Sequence, residues 1–172
     1  MKPNIALIGF MGTGKSAVGS ELSMRLGVDL LEVDELIVEK AGKPITEIFS
    51  KDGEEAFRRL ESEVVAEVSC RKNVIISCGG GAVLDQENVK RLSKNSVIVL
   101  LTASVDEILR RAVLDGDSRP LLNTLDREAR VRELLRFRQP FYLRAADYIL
   151  DTSGLDPQGA AEAIISFLTE EP

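Results

Sequence analysis

The stretch Gly9-Phe10-Met11-Gly12-Thr13-Gly14-Lys15-Ser16 fits the phosphate-binding pattern G-x-x-x-x-G-K-[ST] without a gap. Residues 5–8, which precede it, form a short apolar run, as expected for a buried strand of a parallel sheet. The residues that follow place Val18, Leu22 and Leu26 at helical spacing. Because a strand, a glycine-rich loop and a helix succeed one another, this stretch is predicted to bind the phosphates of a nucleotide.

Phosphate binding requires the residue types that this loop contains. Glycines let successive backbone N–H groups turn toward the phosphates, and the N-terminus of the helix adds partial positive charge. We expect Lys15 to reach the β- and γ-phosphates and the Ser16 hydroxyl to bind Mg²⁺. The nucleotide contacts of the loop are therefore predicted at Gly12, Thr13, Gly14, Lys15, Ser16 and Ala17.

Composition limits the class of protein. The 172 residues suit one domain, and 44% apolar with 29% charged residues is ordinary for a soluble protein. The net charge of −6 argues against a nucleic-acid surface, and the sequence lacks a membrane-spanning run or a signal-peptide pattern, so we expect a cytoplasmic protein. Cys70 and Cys78 are expected to be reduced, buried thiols. Because the chain has no histidine, mechanisms with an imidazole base or ligand are excluded.

Predicted strands alternate with predicted helices along the whole chain. Most of the strands are continuously apolar, which is typical of a parallel sheet covered by helices on both faces. The sequence thus predicts one α/β domain over residues 1–172. The strands are expected at 5–8, 28–34, 73–78, 97–101 and 148–150, and the helices at 17–26, 35–41, 45–50, 54–70, 83–92, 105–114, 126–143 and 157–168.

Two groups of residues follow predicted strands, where ligands of such sheets bind. Asp34 ends the second strand, and its carboxylate could accept or orient the proton of an attacking hydroxyl; it also suits the start of the next helix as an ordinary acidic residue. Residues 79–81 are three glycines after the third strand, typical of an anion site or of a simple turn. No acid ends that strand, so Mg²⁺ would be held by Ser16, water and Glu32 or Asp34.

Three arginines have both a functional and an ordinary interpretation. Arg58 lies between Glu54 and Glu61 at helical spacing, which by itself favours an exposed ladder of ion pairs. Arg119 lies in a segment rich in Gly, Asp, Ser and Pro, typical either of a mobile lid over the nucleotide or of a solvated loop. Arg138 lies near the end of a predicted helix, where the pattern alone favours a solvated face.

Taken together, these residues resemble the shikimate kinases, and the resemblance extends from residue 4 to the last predicted strand. It implies a P-loop NTPase fold of the nucleoside monophosphate kinase type, with a five-stranded parallel sheet and helices on both faces. It also implies a substrate-binding helical segment at about 33–61 and a mobile lid at about 112–125. The motifs that carry it are the phosphate loop, Asp34, Phe57-Arg58 with Glu61, Gly79-Gly80-Gly81, Arg119-Pro120-Leu121-Leu122 and Arg138-Gln139-Pro140-Phe141-Tyr142.

The same resemblance implies phosphoryl transfer from ATP, with Mg²⁺, to the 3-hydroxyl of shikimate, in aromatic amino-acid biosynthesis. The implied catalytic residues are Lys15, Asp34 and Arg119. Shikimate would be bound, chiefly at its carboxylate, with Glu61 orienting Arg58. Its implied contacts are Asp34, Arg58, Gly79, Gly80, Gly81 and Arg138. Further nucleotide contacts are implied at Arg111, near adenine, and at Arg119.

The chain departs from the family pattern at two places. Glu32 stands where the family usually has the first aspartate of Asp-x-Asp, and a metal contact through water is still implied there. The loop at 152–157 lacks the basic residue that many relatives carry, so we expect looser selectivity for the base.

Proteins of other classes fit part of the pattern. A gluconate kinase of the same fold is the nearest enzyme alternative, and a nucleoside monophosphate kinase would need a base-recognition pocket that the sequence does not show. A nucleotide-dependent switch is the non-enzymatic alternative, but the D-x-x-G match at 151–154 lies in the last strand, and no guanine motif Asn-Lys-x-Asp is present. We expect a monomer that binds ATP and shikimate.

Overall fold

A computed structural model describes residues 2–114 and 126–170, without the side chain of Val113. Arg119 and most of the lid predicted at 112–125 lie outside the described residues. No helix within the described ranges combines the length and apolar character that crossing a bilayer requires.

Five strands form one sheet in the described part of the chain, and each neighbouring pair is parallel. Their order is β2-β3-β1-β4-β5, so β1, which leads into the phosphate loop, is central. This confirms the predicted five-stranded parallel sheet. The strands are β1 Asn4–Ile8, β2 Asp29–Glu32, β3 Val74–Ser77, β4 Ser96–Thr102 and β5 Tyr148–Asp151.

Helices follow the strands in the alternation that the sequence predicts. A single π-helical turn, Ile48–Asp52, continues α3, and a 3₁₀ turn, Ala82–Leu84, precedes α5. The α-helices are α1 Lys15–Leu26, α2 Val33–Ala41, α3 Ile45–Glu47, α4 Glu54–Ser69, α5 Gln86–Asn95, α6 Val105–Leu114, α7 Arg127–Ala145 and α8 Pro157–Glu170.

The sheet is buried on both faces, which explains why its central strands are apolar throughout. Successive side chains of β1 alternate between two cores: Ala6 and Ile8 face one, Ile5 and Leu7 the other. The first core is closed by residues of α4, α5 and α7, and the second by residues of α1 and α8. The helices therefore cover both faces, as predicted.

Two predicted element boundaries were wrong at positions near the site. β2 ends at Glu32, and Asp34 lies in the first turn of α2, because Val33 is fully buried and acidic residues suit a helix N-terminus. The helix predicted from residue 83 begins instead at Gln86, because the Asp85 side chain accepts a hydrogen bond from the Glu87 N–H and caps it.

The prediction that both cysteines are buried is confirmed for Cys78 and wrong for Cys70. Cys70 is exposed, just after the end of α4. Cys78 is buried at the end of β3, and burial raises the pKa of its thiol to about 12. Cys78 therefore stays protonated at neutral pH and does not supply a thiolate nucleophile.

Candidate active site

The phosphate loop, residues 9–16, links β1 to α1 and depends on glycine at two positions. Gly9 has φ 143°, and a Cβ there would clash with the Leu101 carbonyl oxygen. Gly14 has φ 93° and caps α1 in the left-handed region. The Thr13 hydroxyl donates to the Phe10 carbonyl at 2.8 Å and closes the turn. The loop thus ends at the N-terminus of a 12-residue helix, a position that favours bound phosphate.

Lys15 is the first residue of α1, and its side chain folds back over the loop. Its Nζ donates to the carbonyl oxygens of Gly9 and Phe10, both at 2.9 Å. These contacts keep the ammonium charge at the mouth of the loop, where the sequence predicts a phosphate contact.

A cleft of about 710 Å³ lies beyond the carboxyl ends of the strands. It is lined by the phosphate loop and by residues that follow β2, β3, β4 and β5. The prediction that the loop, Asp34 and the glycines meet in one crevice is confirmed for Gly79 and Gly80. Further lining residues are Glu32, Asp34, Glu107, Arg111, Thr152 and Pro157.

Asp34 reaches this cleft from the first turn of α2. Its Oδ1 lies 3.0 Å from the position that a Cβ on Gly79 would occupy, and Oε2 of Glu61 lies 2.9 Å from the same point. A side chain at position 79 would therefore displace a carboxylate. Asp34 thus lies in the first turn of a helix and also lines the cleft, and its role toward an attacking hydroxyl stays a prediction.

Arg58 and Glu61 form an ion pair one turn apart on α4. Nη1 of Arg58 donates to Oε1 of Glu61 at 2.7 Å, and a weaker contact of 3.4 Å joins Arg58 to the exposed Glu54. The prediction of an exposed ladder is wrong for Glu61, which is 1% exposed. The guanidinium also lies so close to Gly81 that a Cβ there would be 2.5 Å from either Nη atom.

The environment of Glu61 is costly for a charge. Burial raises the pKa of this carboxyl group, and the neighbouring Arg58 guanidinium opposes the rise. Among the described residues, Oε2 of Glu61 has no hydrogen-bond partner. A buried carboxylate held beside one arginine is typical of a group that orients its neighbour at a site.

Arg138 on α7 is 3% exposed, so the solvated helix face that its position suggested is wrong. Its guanidinium lies over the Phe10 ring, 5.7 Å from the centroid, and a Cβ on Gly80 would lie 3.1 Å from Nη1. Nε has no hydrogen-bond partner in the described ranges. Arg58 and Arg138 thus reach neighbouring glycines, 81 and 80, from two different helices.

Arg111 joins the phosphate loop to the segment after β5. Its Nη1 donates to the Gly12 carbonyl at 3.1 Å, its Nη2 to the Thr152 carbonyl at 3.0 Å, and its Nε to Glu107 at 2.7 Å. Hydrogen bonds from Arg110, foremost, and from Arg111 lower the pKa of Glu107 to about 2. Arg111 lines the cleft, and its contact with adenine stays a prediction.

Two residues of the cleft were missed from the sequence. The Thr152 hydroxyl donates at 2.8 Å to the Thr13 carbonyl of the phosphate loop, across 139 residues of chain. Glu107 holds Arg111 from one turn earlier on α6. The i,i+4 spacing of Glu107 and Arg111 was a signal, whereas nothing local marks Thr152, because its partners are distant in sequence.

A magnesium ion fits the oxygen donors of the cleft. The Ser16 hydroxyl and the Glu32 carboxylate both line it, and such hard oxygen ligands suit Mg²⁺. No group of three or more His, Cys, Asp or Glu side chains able to hold a metal occurs at 2–114 or 126–170.

A phosphate loop on the central strand of a parallel sheet ordered β2-β3-β1-β4-β5 defines a protein of the P-loop NTPase fold. The sequence profile of a family described as Shikimate kinase matches residues 11–169. The chain therefore belongs to the shikimate kinase family, which confirms the resemblance.

Individual relatives match over nearly the whole chain. The shikimate kinase of Thermodesulfovibrio yellowstonii is 47% identical over 162 residues, which are 94% of this chain and 92% of the relative. That of Caldanaerobacter subterraneus subsp. tengcongensis is 46% identical over 94% of each chain. A solved structure of shikimate kinase from Acinetobacter baumannii in complex with shikimate superposes with a TM-score of 0.94 at 36% identity, covering 98% of this chain and 94% of that one.

Proposed function

We propose that this chain transfers the γ-phosphoryl group of ATP to the 3-hydroxyl of shikimate, giving shikimate 3-phosphate and ADP, a step of chorismate and aromatic amino-acid biosynthesis. The observation that carries the proposal is the convergence of Arg58 and Arg138 on neighbouring glycines, with the Asp34 carboxylate beside Gly79. Shikimate has one carboxylate and several hydroxyls. Paired guanidinium groups suit the carboxylate, and a carboxylate oxygen accepts hydrogen bonds from hydroxyls.

The acceptor site extends along one side of the cleft. Arg58 and Arg138 bind the shikimate carboxylate, with backbone N–H groups of residues 79–81 beside them. Glu61 keeps the Arg58 guanidinium in one orientation through its 2.7 Å ion pair. The segment at 33–61 supplies both Asp34 and Arg58, so it acts as the substrate-binding part of a single domain of residues 1–172.

Asp34 holds the hydroxyl that attacks the phosphorus and takes or orients its proton. A carboxylate within the same cleft as the phosphate loop places acceptor and donor together, and alignment of this kind supplies much of the rate enhancement in phosphoryl transfer. Lys15 stabilises the charge that spreads over the transferring group. Arg119, outside the described residues, is assigned to the same charge from the lid at 112–125.

The nucleotide is bound by residues 12–17, with Arg111 toward the base. Mg²⁺ is held by Ser16 and, through water, by Glu32. These residues would hold the ion beside the phosphates, where its positive charge would offset their negative charge. Glu32 has one methylene more than aspartate, and this longer side chain still permits a contact with the metal through water.

The proposed enzyme acts as a cytoplasmic monomer that binds neither nucleic acid nor membranes. The net charge of −6 supports the absence of a nucleic-acid surface. Size-exclusion chromatography with light scattering measures the molar mass in solution. A mass of twice that of one chain at micromolar concentration would contradict the monomer.

A coupled assay of ADP release tests the activity across shikimate, quinate, gluconate and nucleoside monophosphates. We expect turnover with shikimate and Mg²⁺·ATP that exceeds turnover with every other acceptor. Equal or faster turnover with gluconate would contradict the proposal. ³¹P NMR of the product checks that the phosphate is on the 3-hydroxyl.

A further inference from the structure

Tyr142 lies one helical turn after Arg138 on α7 and is 3% exposed. Its hydroxyl donates to the carbonyl oxygen of Gly80 at 2.5 Å. This contact joins α7 to the triple glycine across 62 residues of chain. The roles assigned above to Arg138 and the glycines do not use it.

The hydrogen bond fixes the peptide group between Gly80 and Gly81. A peptide unit is planar and trans, so its carbonyl and N–H point in opposite directions. Holding the Gly80 carbonyl toward Tyr142 therefore turns the Gly81 N–H away from α7. Glycines have no Cβ to restrict them. The Gly79 and Gly81 carbonyls accept hydrogen bonds from the nearby Ala82 and Leu84 N–H groups, whereas Tyr142 anchors the Gly80 carbonyl from another element.

The same tyrosine lies next to the Arg138 guanidinium. Burial raises the pKa of Tyr142 to about 12, and the positive charge of Arg138 opposes this rise. The hydroxyl therefore keeps its proton, and its ability to donate, at every pH at which a cytoplasmic enzyme works. The Nη1 atom of Arg138 lies 3.1 Å from the position that a Cβ on Gly80 would occupy. The Tyr142 hydroxyl, the Arg138 guanidinium and the Gly80 peptide group therefore pack together.

We propose that Tyr142 is a positioning residue for the acceptor substrate, which sets the Gly80–Gly81 peptide and the Arg138 guanidinium together as one preformed site for the substrate's carboxylate. This inference rests on the proposed function. It separates two contributions of α7: Arg138 supplies the charge, and Tyr142 supplies the fixed geometry in which backbone and guanidinium act together. Preorganisation of this kind lowers the ordering cost of binding.

The test replaces Tyr142 by phenylalanine, which removes only the hydroxyl. The matched control is Tyr148→Phe, since these are the two tyrosines of the chain and Tyr148 stacks on Phe167 away from the cleft. We expect Y142F to raise the KM for shikimate about five- to tenfold, because a buried carbonyl loses its donor, with the KM for ATP unchanged. Y148F should change neither KM.

A double mutant separates positioning from simple packing. If Tyr142 acts through Arg138 and the glycines, Y142F should cost less in the Arg138→Lys background than in the wild type. Full additivity would overturn the proposal, and so would a Y142F variant with a lower melting temperature but an unchanged KM for shikimate. If the wild type itself does not phosphorylate shikimate, the proposed function fails instead.

A measurement on the wild type covers the case in which Y142F does not fold. In protein labelled with ¹⁵N-glycine, the Gly81 amide should shift when shikimate is added alone and stay in place when ATP is added alone. The glycine at 159, in α8, serves as an internal reference and should not respond to shikimate. A Gly81 amide that ignores shikimate would overturn the proposal.

Discussion

Asp34 and Arg138 contact the same triple glycine from two different helices, α2 and α7, and have different chemical tasks in the proposed reaction. Asp34→Asn keeps the shape of the side chain but cannot take a proton. We expect turnover to fall by about 10²–10⁴-fold, while the affinity for shikimate falls much less. Steady-state kinetics with titration calorimetry measures both. If affinity falls as far as turnover, Asp34 only binds the acceptor.

Arg138→Lys keeps the charge and loses the planar fork of the guanidinium. A charge-assisted hydrogen bond to a partly desolvated carboxylate contributes about 1.5–3 kcal/mol, so we expect shikimate to bind about tenfold more weakly or worse. The affinity for ATP measured without shikimate should stay the same. Calorimetric titration of each ligand decides this, and weaker ATP binding with unchanged shikimate binding would place Arg138 on the phosphate side of the site.

At the scale of elements, the sequence predicted what local patterns encode. Apolar strands and amphipathic helices follow from residue spacing, so the sheet and most helix positions were right. The predicted end of β2 was wrong because Val33 packs in the core against residues that are distant in sequence. Arg138 and Glu61 were expected to be exposed because charged side chains usually are. Only the folded site shows that Glu61 is buried beside Gly79 and Arg138 beside Gly80.

The buried carboxyl group of Glu61, on α4, makes the stability of the fold depend on pH. Because burial raises the pKa of Glu61, the folded state binds its proton more tightly than the unfolded state. This group therefore contributes fully to the free energy of unfolding below its unfolded-state pKa of about 4.3. That contribution is lost as the pH rises through the folded-state pKa. Glu61→Gln should thus flatten the dependence of the unfolding free energy on pH above that value, as measured by urea unfolding.

The same variant should impair acceptor binding, since Arg58 loses its buried charged partner. We expect Glu61→Gln to raise the KM for shikimate about tenfold. Glu54→Gln is the matched control, because Glu54 is exposed and contacts Arg58 only at 3.4 Å, and such pairs contribute little. Equal effects of the two variants would show that Glu61 has no special role in orienting Arg58.

At the scale of the whole molecule, one edge of the sheet brings together two half-sites from separate parts of the chain. The phosphate loop follows β1 directly, whereas the proposed acceptor half is assembled from α2, α4, α7 and the segment after β3. Gly80 belongs to both regions, since it lines the cleft and also lies against Arg138. The two ligands are therefore expected to bind to separately alterable surfaces of one cleft.

Thermal unfolding with each ligand tests that separation. A ligand at 100 times its Kd adds about 2.7 kcal/mol of stability, which in a chain of this size raises Tm by about 5–10 °C. Lys15→Ala should lose the rise given by Mg²⁺·ATP and keep the rise given by shikimate, with turnover reduced at least about 10²-fold. Arg138→Lys should keep the rise given by Mg²⁺·ATP and lose at least about half of the rise given by shikimate, because tenfold weaker binding leaves only about 1.4 kcal/mol at the same concentration. Lys94→Ala, on the exposed side of α5, should respond to both ligands like the wild type. If Lys15→Ala loses the response to shikimate as well, or turns over at the wild-type rate, the division of the cleft into a phosphate half and an acceptor half is wrong.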